Sequence, residues 1–398
     1  MHLPKVFLSA LLACSVAAHP GHSVRDEVQK RGEFLARHTN NLDHCASIQK
    51  AAGFDERAVK RREARLDQLL QRSGLPKRQT SPINKSHKSD KPYTPDTKPS
   101  EVFAGNNSCV LSPETTEGPF YVTGESIRSN IVDGELGVPL HLDIQLVDVN
   151  TCKPVPGVYL EIWGANSTGV YSGALAQVNG NGGMNDKPNL NKAFLRGIQQ
   201  TDTDGVVQFK TNFPGHYVGR ATHLHIITHV EDTKAKENNT IWNQRVRHIG
   251  QAFFDQALIN AVEATSPYST NRQAKTQNAR DAILIQETAN NADPFFNYVQ
   301  LSSNLKDGVF GWFSFGVNMT YSRSIMAVAQ KFKEGGKMVT TNPKQPGFDA
   351  MFPGGFPTAF QPGFGRAVVP TAVPNAEEKE ARNDGGAERE PRFLGKAE

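Results

Sequence analysis

Cysteine, tryptophan and net charge are all scarce in this chain of 398 residues. There are 4 cysteines, 3 tryptophans and a formal net charge of only +4. So small a charge argues against nucleic acid as a partner, because phosphate binding needs clustered basic residues. The basic stretch "ERAVKRREARL" (56–66) has acidic residues interleaved, and we interpret it as the solvated face of a helix.

Long apolar runs are missing beyond the N-terminus. A membrane-spanning helix needs about 18 or more consecutive apolar residues, so we expect no membrane-embedded segment in the mature protein. The first residues, "MHLPKVFLSALLACSVAAHP", contain Lys5, an apolar run that ends at Val16, and small residues before His19. This order is typical of a secretory signal peptide, here residues 1–18, with cleavage near Ala18. We therefore predict a secreted, extracellular protein.

Loss of that signal leaves Cys45, Cys109 and Cys152. Three is an odd number, so one disulfide and one remaining thiol is the simplest arrangement in an oxidising compartment. We predict that Cys109 pairs with Cys152, because both lie in the segment that looks like the folded core. Sequons for N-glycosylation occur at Asn84, Asn106, Asn166, Asn238 and Asn318.

The segments that flank this core differ from it in composition. Residues 19–78 carry apolar side chains at helical spacing, which predicts a helical arm or, given the dibasic Lys77-Arg78, a removable pro-segment. Residues 79–100 are rich in Ser, Pro and Lys and read as a linker. Residues 336–398 are rich in Gly, Pro and Phe and then in charge, which predicts a disordered tail. The arm is also where a second copy of the chain could bind to form a homodimer.

The pattern between residues 101 and 335 is that of short strands. "LHLDIQLVDV" (140–149) alternates apolar and polar residues, as a half-buried strand does. Similar stretches, separated by turn residues, occur at 157–165, 205–213, 222–230 and 307–319, with helical patterns near 255–264 and 278–289. This spacing predicts one mainly-β domain with a β-sandwich core.

Two histidines in "THLHI" are candidates for a metal site. Side chains at i and i+2 of a strand point to the same face, so His223 and His225 can bind one ion. His229 would complete a three-histidine zinc or copper site, but it lies about 13 Å beyond His225 along an extended strand. Tyr217 is the other nearby donor. A phenol binds as phenolate only beside a strongly acidic cation, and ferric iron suits it better than zinc or copper.

Four blocks, in order, carry a resemblance to a known family. They are "CVLSPETTEGPFYV" (109–122), "EIWGANSTGVYSG" (161–173), "FLRGIQQTDTDGVVQFKTNFPGHYVGRATHLHI" (194–226) and "GQAFFD" (250–255). Together they resemble the intradiol ring-cleavage dioxygenases, in the secreted fungal-type branch similar to the protocatechuate 3,4-dioxygenase β chain. The resemblance covers about 101–330 and excludes the arm and the tail.

The resemblance implies a non-haem Fe(III) cofactor with four protein ligands. Matched by position, these are the phenolates of Tyr171 and Tyr217 and the imidazoles of His223 and His225. Two further residues are implied to act on the substrate: Arg220, by stabilising charge on the bound catecholate, and Gln251, by lying near it. Five residues separate Tyr217 from His223, fewer than in the bacterial enzymes, so the loop over the site is shorter.

The implied activity is cleavage of catechols between their two hydroxylated carbons with O₂, giving muconate-type diacids. An alternative class is a non-catalytic secreted β-sandwich that binds a metal or an aromatic polymer, since the arm and the tail suit anchoring. Retention of all four ligands together with Arg220 favours the enzyme. His216 and His229 are then expected to lie at the surface or beside the site rather than on the metal.

Overall fold

The structure is a computed structural model that describes residues 42–75, 84–85, 108–110, 120–176, 179, 183–288 and 292–339. The predicted signal peptide and nearly all of the predicted linker and tail therefore lie outside the described residues.

The helices and strands of the described residues agree with the sequence pattern in most places. The α-helices are α1 (Ala46–Ala51), α2 (Phe54–Arg72), α3 (Gln256–Glu263) and α4 (Ala282–Glu287). The strands are β1 (Asn84–Lys85), β2 (Ser108–Val110), β3 (Val122–Thr123), β4 (Glu125–Ser126), β5 (Pro139–Asp148), β6 (Tyr159–Trp163), β7 (Arg196–Gln200), β8 (Val206–Asn212), β9 (His223–His229), β10 (Thr240–Ile241), β11 (Arg245–Phe253), β12 (Asn297–Gln300), β13 (Val309–Val317), β14 (Arg323–Ser324), β15 (Ala329–Phe332) and β16 (Gly335–Met338).

Two larger sheets form the body of the domain. The first has the order β1-β12-β13-β5-β8, with β2 also paired to β13, and β13 runs parallel to β5. The second has the order β14-β11-β9-β6-β7 and its pairs are antiparallel. Two small groups, β10-β4 and β16-β15-β3, complete the strands.

The core lies between the two sheets because one face of each strand is apolar. On β5 the alternate residues Leu140, Leu142, Ile144 and Leu146 are buried in one cluster. The same cluster contains Leu160 and Ile162 of β6, Leu224 and Ile226 of β9, and Phe313 and Phe315 of β13. Burial of each such side chain stabilises the fold by about 1.5–3 kcal/mol. The predicted mainly-β, sandwich-like fold is confirmed.

The helical arm covers the other face of the first sheet. Leu69 and Leu70 of α2 pack in one cluster with Val299, Phe310 and Trp312 of β12 and β13. The arm is therefore part of the folded domain in the described residues.

Two arginines of α2 correct the interpretation of residues 56–66 as a solvated face. Arg62 is fully buried beside Asp143 of β5, and Arg61 donates two hydrogen bonds of 3.0 Å to the same carboxylate. Burial lowers the pKa of Arg62 to about 10. Burial alone would raise the pKa of Asp143, but Arg61 and Arg62 outweigh it and lower that pKa. The polar face of β5 meets the arm rather than water, and the arm's charges match it.

The disulfide prediction was wrong in its pairing. Cys45 bonds to Cys152 across 107 residues, with their Cα atoms 5.2 Å apart. Cys45 precedes α1 and packs with Val147 at the end of β5, where the chain turns at Cys152. Cys109 lies instead in β2, paired with Phe315 of β13. Cleavage at Lys77-Arg78 alone would therefore not release the arm, because the bond ties it to the domain.

The described strands also cross two predicted boundaries. β1 falls in the predicted linker and pairs with β12, and β16 continues the final hairpin past residue 335 to Met338. Of the helices that the structure describes, none combines the length and the apolar character needed to cross a membrane.

Candidate metal centre

The two histidines of β9 lie on the face of the second sheet that points away from the sandwich core. Leu224 and Ile226 alternate with them and face that core. In the sheet register, His225 lies opposite Trp163 of β6 and Gln251 of β11. The face is covered by a separate buried cluster that includes Tyr171 and Tyr217. The candidate site is therefore enclosed between a sheet face and the loops above it.

The imidazoles converge on one point. The Nε2 atoms of His223 and His225 are 3.1 Å apart. Nδ1 of His223 lies 2.6 Å from the carbonyl oxygen of Ala221, so it carries the proton and Nε2 is left as an acceptor. The His225 ring stacks on Trp163, with centroids 4.6 Å apart and planes at 3°. Both ring orientations are fixed by neighbours, as ligand histidines require.

Tyr171 approaches the same point from the long loop after β6. Its hydroxyl lies 3.4 Å from Nε2 of His223. Its backbone is held by two asparagine side chains: Asn179 accepts from the Tyr171 N–H at 2.7 Å, and both Asn179 and Asn189 donate to the Tyr171 carbonyl at 2.8 and 2.7 Å. The position of the phenol therefore depends on a buried hydrogen-bond network.

Arg196 joins this loop to the segment that covers it. Its Nε donates to the carbonyl oxygen of Ser172 at 2.8 Å, and its Nη2 donates to that of Phe120 at 2.6 Å. The Phe120 ring stacks on Tyr171 with centroids 4.3 Å apart. One fully buried guanidinium thus fixes both the residue after Tyr171 and the ring against it.

Tyr217 lies in the segment between β8 and β9 and packs against Tyr171. The two rings meet edge to face with centroids 5.4 Å apart, and the Tyr217 ring is 5.7 Å from that of His223. Gly169, at φ +77°, lies directly against the backbone of His216, where a side chain would not fit. That close approach brings the Tyr171 loop and the Tyr217 segment together.

Arg220 is buried and forms an ion pair with a residue that was not predicted. Its Nε donates to Oδ2 of Asp281 at 2.9 Å. Its Nη2 donates to Oε1 of Gln251 at 2.5 Å. Burial opposes the charge of Arg220, but Asp281 more than offsets this effect and raises the Arg220 pKa. Arg220 is a permanent cation at this site.

Both phenols are shifted toward their neutral forms by the protein alone. Burial raises the pKa of Tyr171 well above its usual value, and the neighbouring Tyr217 raises it further. Burial also raises the pKa of Tyr217, while the charge of Arg220 acts to lower it. Ionisation of these phenols therefore calls for a highly charged cation at the point where they meet the histidines.

All six residues predicted for the site come together, and His216 and His229, the two nearby histidines not expected on the metal, bond elsewhere. Nε2 of His229 lies 3.0 Å from Glu161, and His216 lies 2.7 Å from Glu263. The proposed three-histidine site for zinc or copper is not assembled, since His229 is engaged away from His225. A further group of ligand-type residues in the described chain, His44 with Cys45 and Cys152, has both sulfurs in the disulfide.

Comparison with known proteins gives the family. A dioxygenase family model matches residues 116–238. An intradiol ring-cleavage dioxygenase from Tetranychus urticae is 32% identical in sequence, covering 54% of this chain and 96% of its own, with a TM-score of 0.43. This chain belongs to the intradiol ring-cleavage dioxygenase family. The resemblance noted in the sequence is confirmed at that level, while the secreted fungal-type branch stays a prediction.

Two other matches are more limited. Catechol 1,2-dioxygenase 1 from Acinetobacter lwoffii is 33% identical over 117 residues, which is 27% of this chain. The chain thus spans 32%, about a third, of the length of this curated relative. The dioxygenase domain of a carbohydrate-binding fusion protein from Streptomyces sp. SirexAA-E is 23% identical and covers 51% of this chain and 96% of its own, with a TM-score of 0.33.

The donor set fits the ferric iron that the intradiol family uses. Two imidazole nitrogens lie 3.1 Å apart with a phenol oxygen 3.4 Å from one of them, in a buried pocket beside a second phenol. Phenolate and imidazole are hard or intermediate donors, which suit Fe(III). Tyr171, Tyr217, His223 and His225 are thus the residues that would hold it.

Four residues that support the site were not identified from the sequence: Asp281, Arg196, Asn179 and Asn189. Only Asp281 carried a usable signal, since it precedes an apolar helical stretch as an N-cap residue does. That signal locates the start of a helix and says nothing about Arg220, which is 61 positions away. The other three form hydrogen bonds with the backbone of a loop, and the periodicity of apolar residues gives no information about such contacts.

Proposed function

We propose that this chain is a secreted non-haem Fe(III) dioxygenase that cleaves catechols between the two hydroxylated carbons, with O₂, to muconate-type diacids. The observation that carries the proposal is the buried convergence of two tyrosines and two histidines beside Arg220. Family membership supports the reaction class, and two of the relatives named above are an intradiol ring-cleavage dioxygenase and a catechol 1,2-dioxygenase. The kind of catechol is left to experiment.

When bound, ferric iron would supply the Lewis acidity that makes the phenolates and a catechol ionise at neutral pH. Tyr217 would accept a proton from a catechol hydroxyl at its Oη. Arg220 would place a fixed positive charge next to the ring, where negative charge develops during the reaction. Gln251, whose Oε1 accepts from Arg220, would hold that guanidinium against the substrate.

The proposal includes export from the cell. It is supported by the signal-like N-terminus and by the Cys45–Cys152 bond, since structural disulfides form in oxidising compartments. The partners proposed are catechols and O₂, with a second copy of the chain as the macromolecular partner and neither nucleic acid nor membrane involved.

The test is oxygen uptake by the iron-loaded protein with catechol, protocatechuate and hydroxyquinol, with identification of the product. His223→Ala should lose iron and activity together. Arg220→Ala should keep iron and lose about 100- to 1000-fold in turnover, the typical effect of removing one charge-stabilising donor. His229→Gln is the matched histidine control and should keep both, because His229 bonds to Glu161 outside the ligand set.

Three results would contradict the proposal. A semialdehyde product would mean cleavage outside the two hydroxylated carbons. Full ferric loading without oxygen uptake would favour the non-catalytic binding protein. Loss of metal in His229→Gln, with zinc or copper in the wild type, would favour the three-histidine site over the proposed ligand set.

A further inference from the structure

Asp281 accepts five hydrogen bonds from two different parts of the chain. Its Oδ1 accepts from the backbone N–H groups of Ile283 and Leu284, both at 2.9 Å, and from Nη2 of Arg220 at 3.4 Å. Its Oδ2 accepts from Nε of Arg220 at 2.9 Å and from the N–H of Ala221 at 2.6 Å. The residue is fully buried.

Capping of α4 explains only half of this arrangement. A helix N-cap needs one side-chain oxygen, which Oδ1 provides. Asp255 caps α3 in that way, with its Oδ1 2.7 Å from the N–H of Leu258. Oδ2 of Asp281 is instead committed to Arg220 and Ala221. A buried carboxylate with an oxygen directed at an active-site cation has a role beyond helix capping.

The contacts of Asp281 extend to a predicted iron ligand through one residue. Ala221 donates its N–H to Asp281 and accepts from Nδ1 of His223 with its carbonyl oxygen, at 2.6 Å in both cases. The backbone that orients His223 is thus fixed from the other side by Asp281.

The same contacts orient Arg220. Nε and Nη2 are held by Asp281 and by Gln251. Nη1 is buried and has no hydrogen-bond partner in the part of the chain that the structure describes. Its N–H groups are therefore the guanidinium donors that remain available to a bound ligand.

We propose that Asp281 is a positioning residue, which fixes the guanidinium of Arg220 for the reaction and the Ala221 backbone that orients His223. The inference rests on the proposed function, because it assigns Asp281 a role in that reaction. Asp281 touches neither substrate nor metal in this assignment and acts through Arg220 and Ala221.

The experiment compares Asp281→Asn with Asp255→Asn, the same substitution at a second helix cap. Asparagine keeps one capping oxygen at either position, but at 281 an amide group replaces the oxygen that faces Arg220. Loss of such a supporting contact typically costs about 10- to 100-fold in activity. We expect that loss in kcat for Asp281→Asn, with iron still bound, and turnover within about twofold of wild type for Asp255→Asn.

A double-mutant cycle separates positioning from general stability. In an Arg220→Ala background, Asp281→Asn should cause a clearly smaller loss of turnover than in the wild type, because the part of its effect that passes through Arg220 is already lost. The second readout is urea unfolding of the metal-free chain. Arg220→Ala leaves a buried carboxylate unpaired, so adding Asp281→Asn should raise the unfolding midpoint of that variant. This measurement remains informative if Asp281→Asn alone fails to fold.

Each outcome decides between the two proposals. An active ferric wild type with Asp281→Asn no worse than Asp255→Asn would overturn the inference and leave the function standing. Additive losses in the cycle, or no recovery of the midpoint in the double variant, would also overturn it. A wild type without ferric iron or without turnover would overturn the proposed function, and the positioning role would fall with it.

Discussion

The disulfide between Cys45 and Cys152 leads to a prediction about stability that could not be made from the sequence alone, because the sequence suggested a different pairing. We expect Cys45→Ala/Cys152→Ala to be strongly destabilised. The bond closes a segment of 107 residues, within which α1, α2, the linker and the first strands lie. Removing it gives that whole segment back its freedom in the unfolded state.

The magnitude follows from the length of the closed loop. The chain-entropy relation for a loop of about 107 residues gives roughly 16 cal/mol/K, or about 4.8 kcal/mol at 25 °C. That is a large part of the net stability of about 5–15 kcal/mol that domains typically have. The arm also buries Leu69 and Leu70 on the first sheet, and those contacts remain in the variant.

The assay is urea unfolding of the wild type, of Cys45→Ala/Cys152→Ala and of Cys109→Ala, together with peptide mapping without reduction. Cys109→Ala is the control, because Cys109 was the partner expected from the sequence and it should leave the bond intact. A cross-linked peptide containing Cys109 and Cys152, or an equal loss of stability in the control, would refute the reasoning.

The remaining predictions concern the arm, the Tyr171 loop and the surface. Asp143→Asn should lower the free energy of unfolding by about 3–5 kcal/mol at pH 7. Asp204, which is only half-buried and pairs with the exposed Arg57 of α2, is the control, and Asp204→Asn should lower it by no more than about 1 kcal/mol. The pKa of Asp143 is lower in the folded protein than in the unfolded chain. Its contribution to the free energy of unfolding should therefore be present above about pH 4 and lost at lower pH, as urea unfolding above and below that pH would show. Arg196→Lys cannot donate to both carbonyl oxygens, so iron affinity should fall about 10- to 100-fold. The visible absorption of the iron-bound tyrosinates should shift as well. In protein secreted from eukaryotic cells, mass spectrometry should find glycan at the exposed Asn238 and none at Asn166, whose amide donates to Glu135 at 2.8 Å.

Strand positions followed from the sequence because periodicity reports which face of an element is apolar. The alternation at 140–149 corresponds to β5 at Pro139–Asp148, and His223 and His225 share one face of β9 as expected. The assignment of the tyrosines did not come from periodicity. It came from the family resemblance, because Tyr171 and Tyr217 lie in loops.

What covers a face could not be predicted in the same way. The pattern of β5 and the charges at 56–66 each suggested a face exposed to solvent. In the structure, however, Arg62 and Asp143 are buried against each other. Each pattern alone is that of a surface, and only tertiary packing shows that they match. The same limit applies to Cys45 with Cys152 and to Arg220 with Asp281, which are distant in sequence and carry no local sign of their partners.

The central claim is that Tyr171, Tyr217, His223 and His225 hold ferric iron. Its most direct test is metal analysis of the purified protein together with its visible absorption spectrum. We expect one iron per chain and a red colour that disappears on dithionite reduction or chelation, with the band shifted in Tyr217→Phe and lost with the metal in His223→Ala. A fully metallated, colourless protein that contains only zinc would contradict the claim.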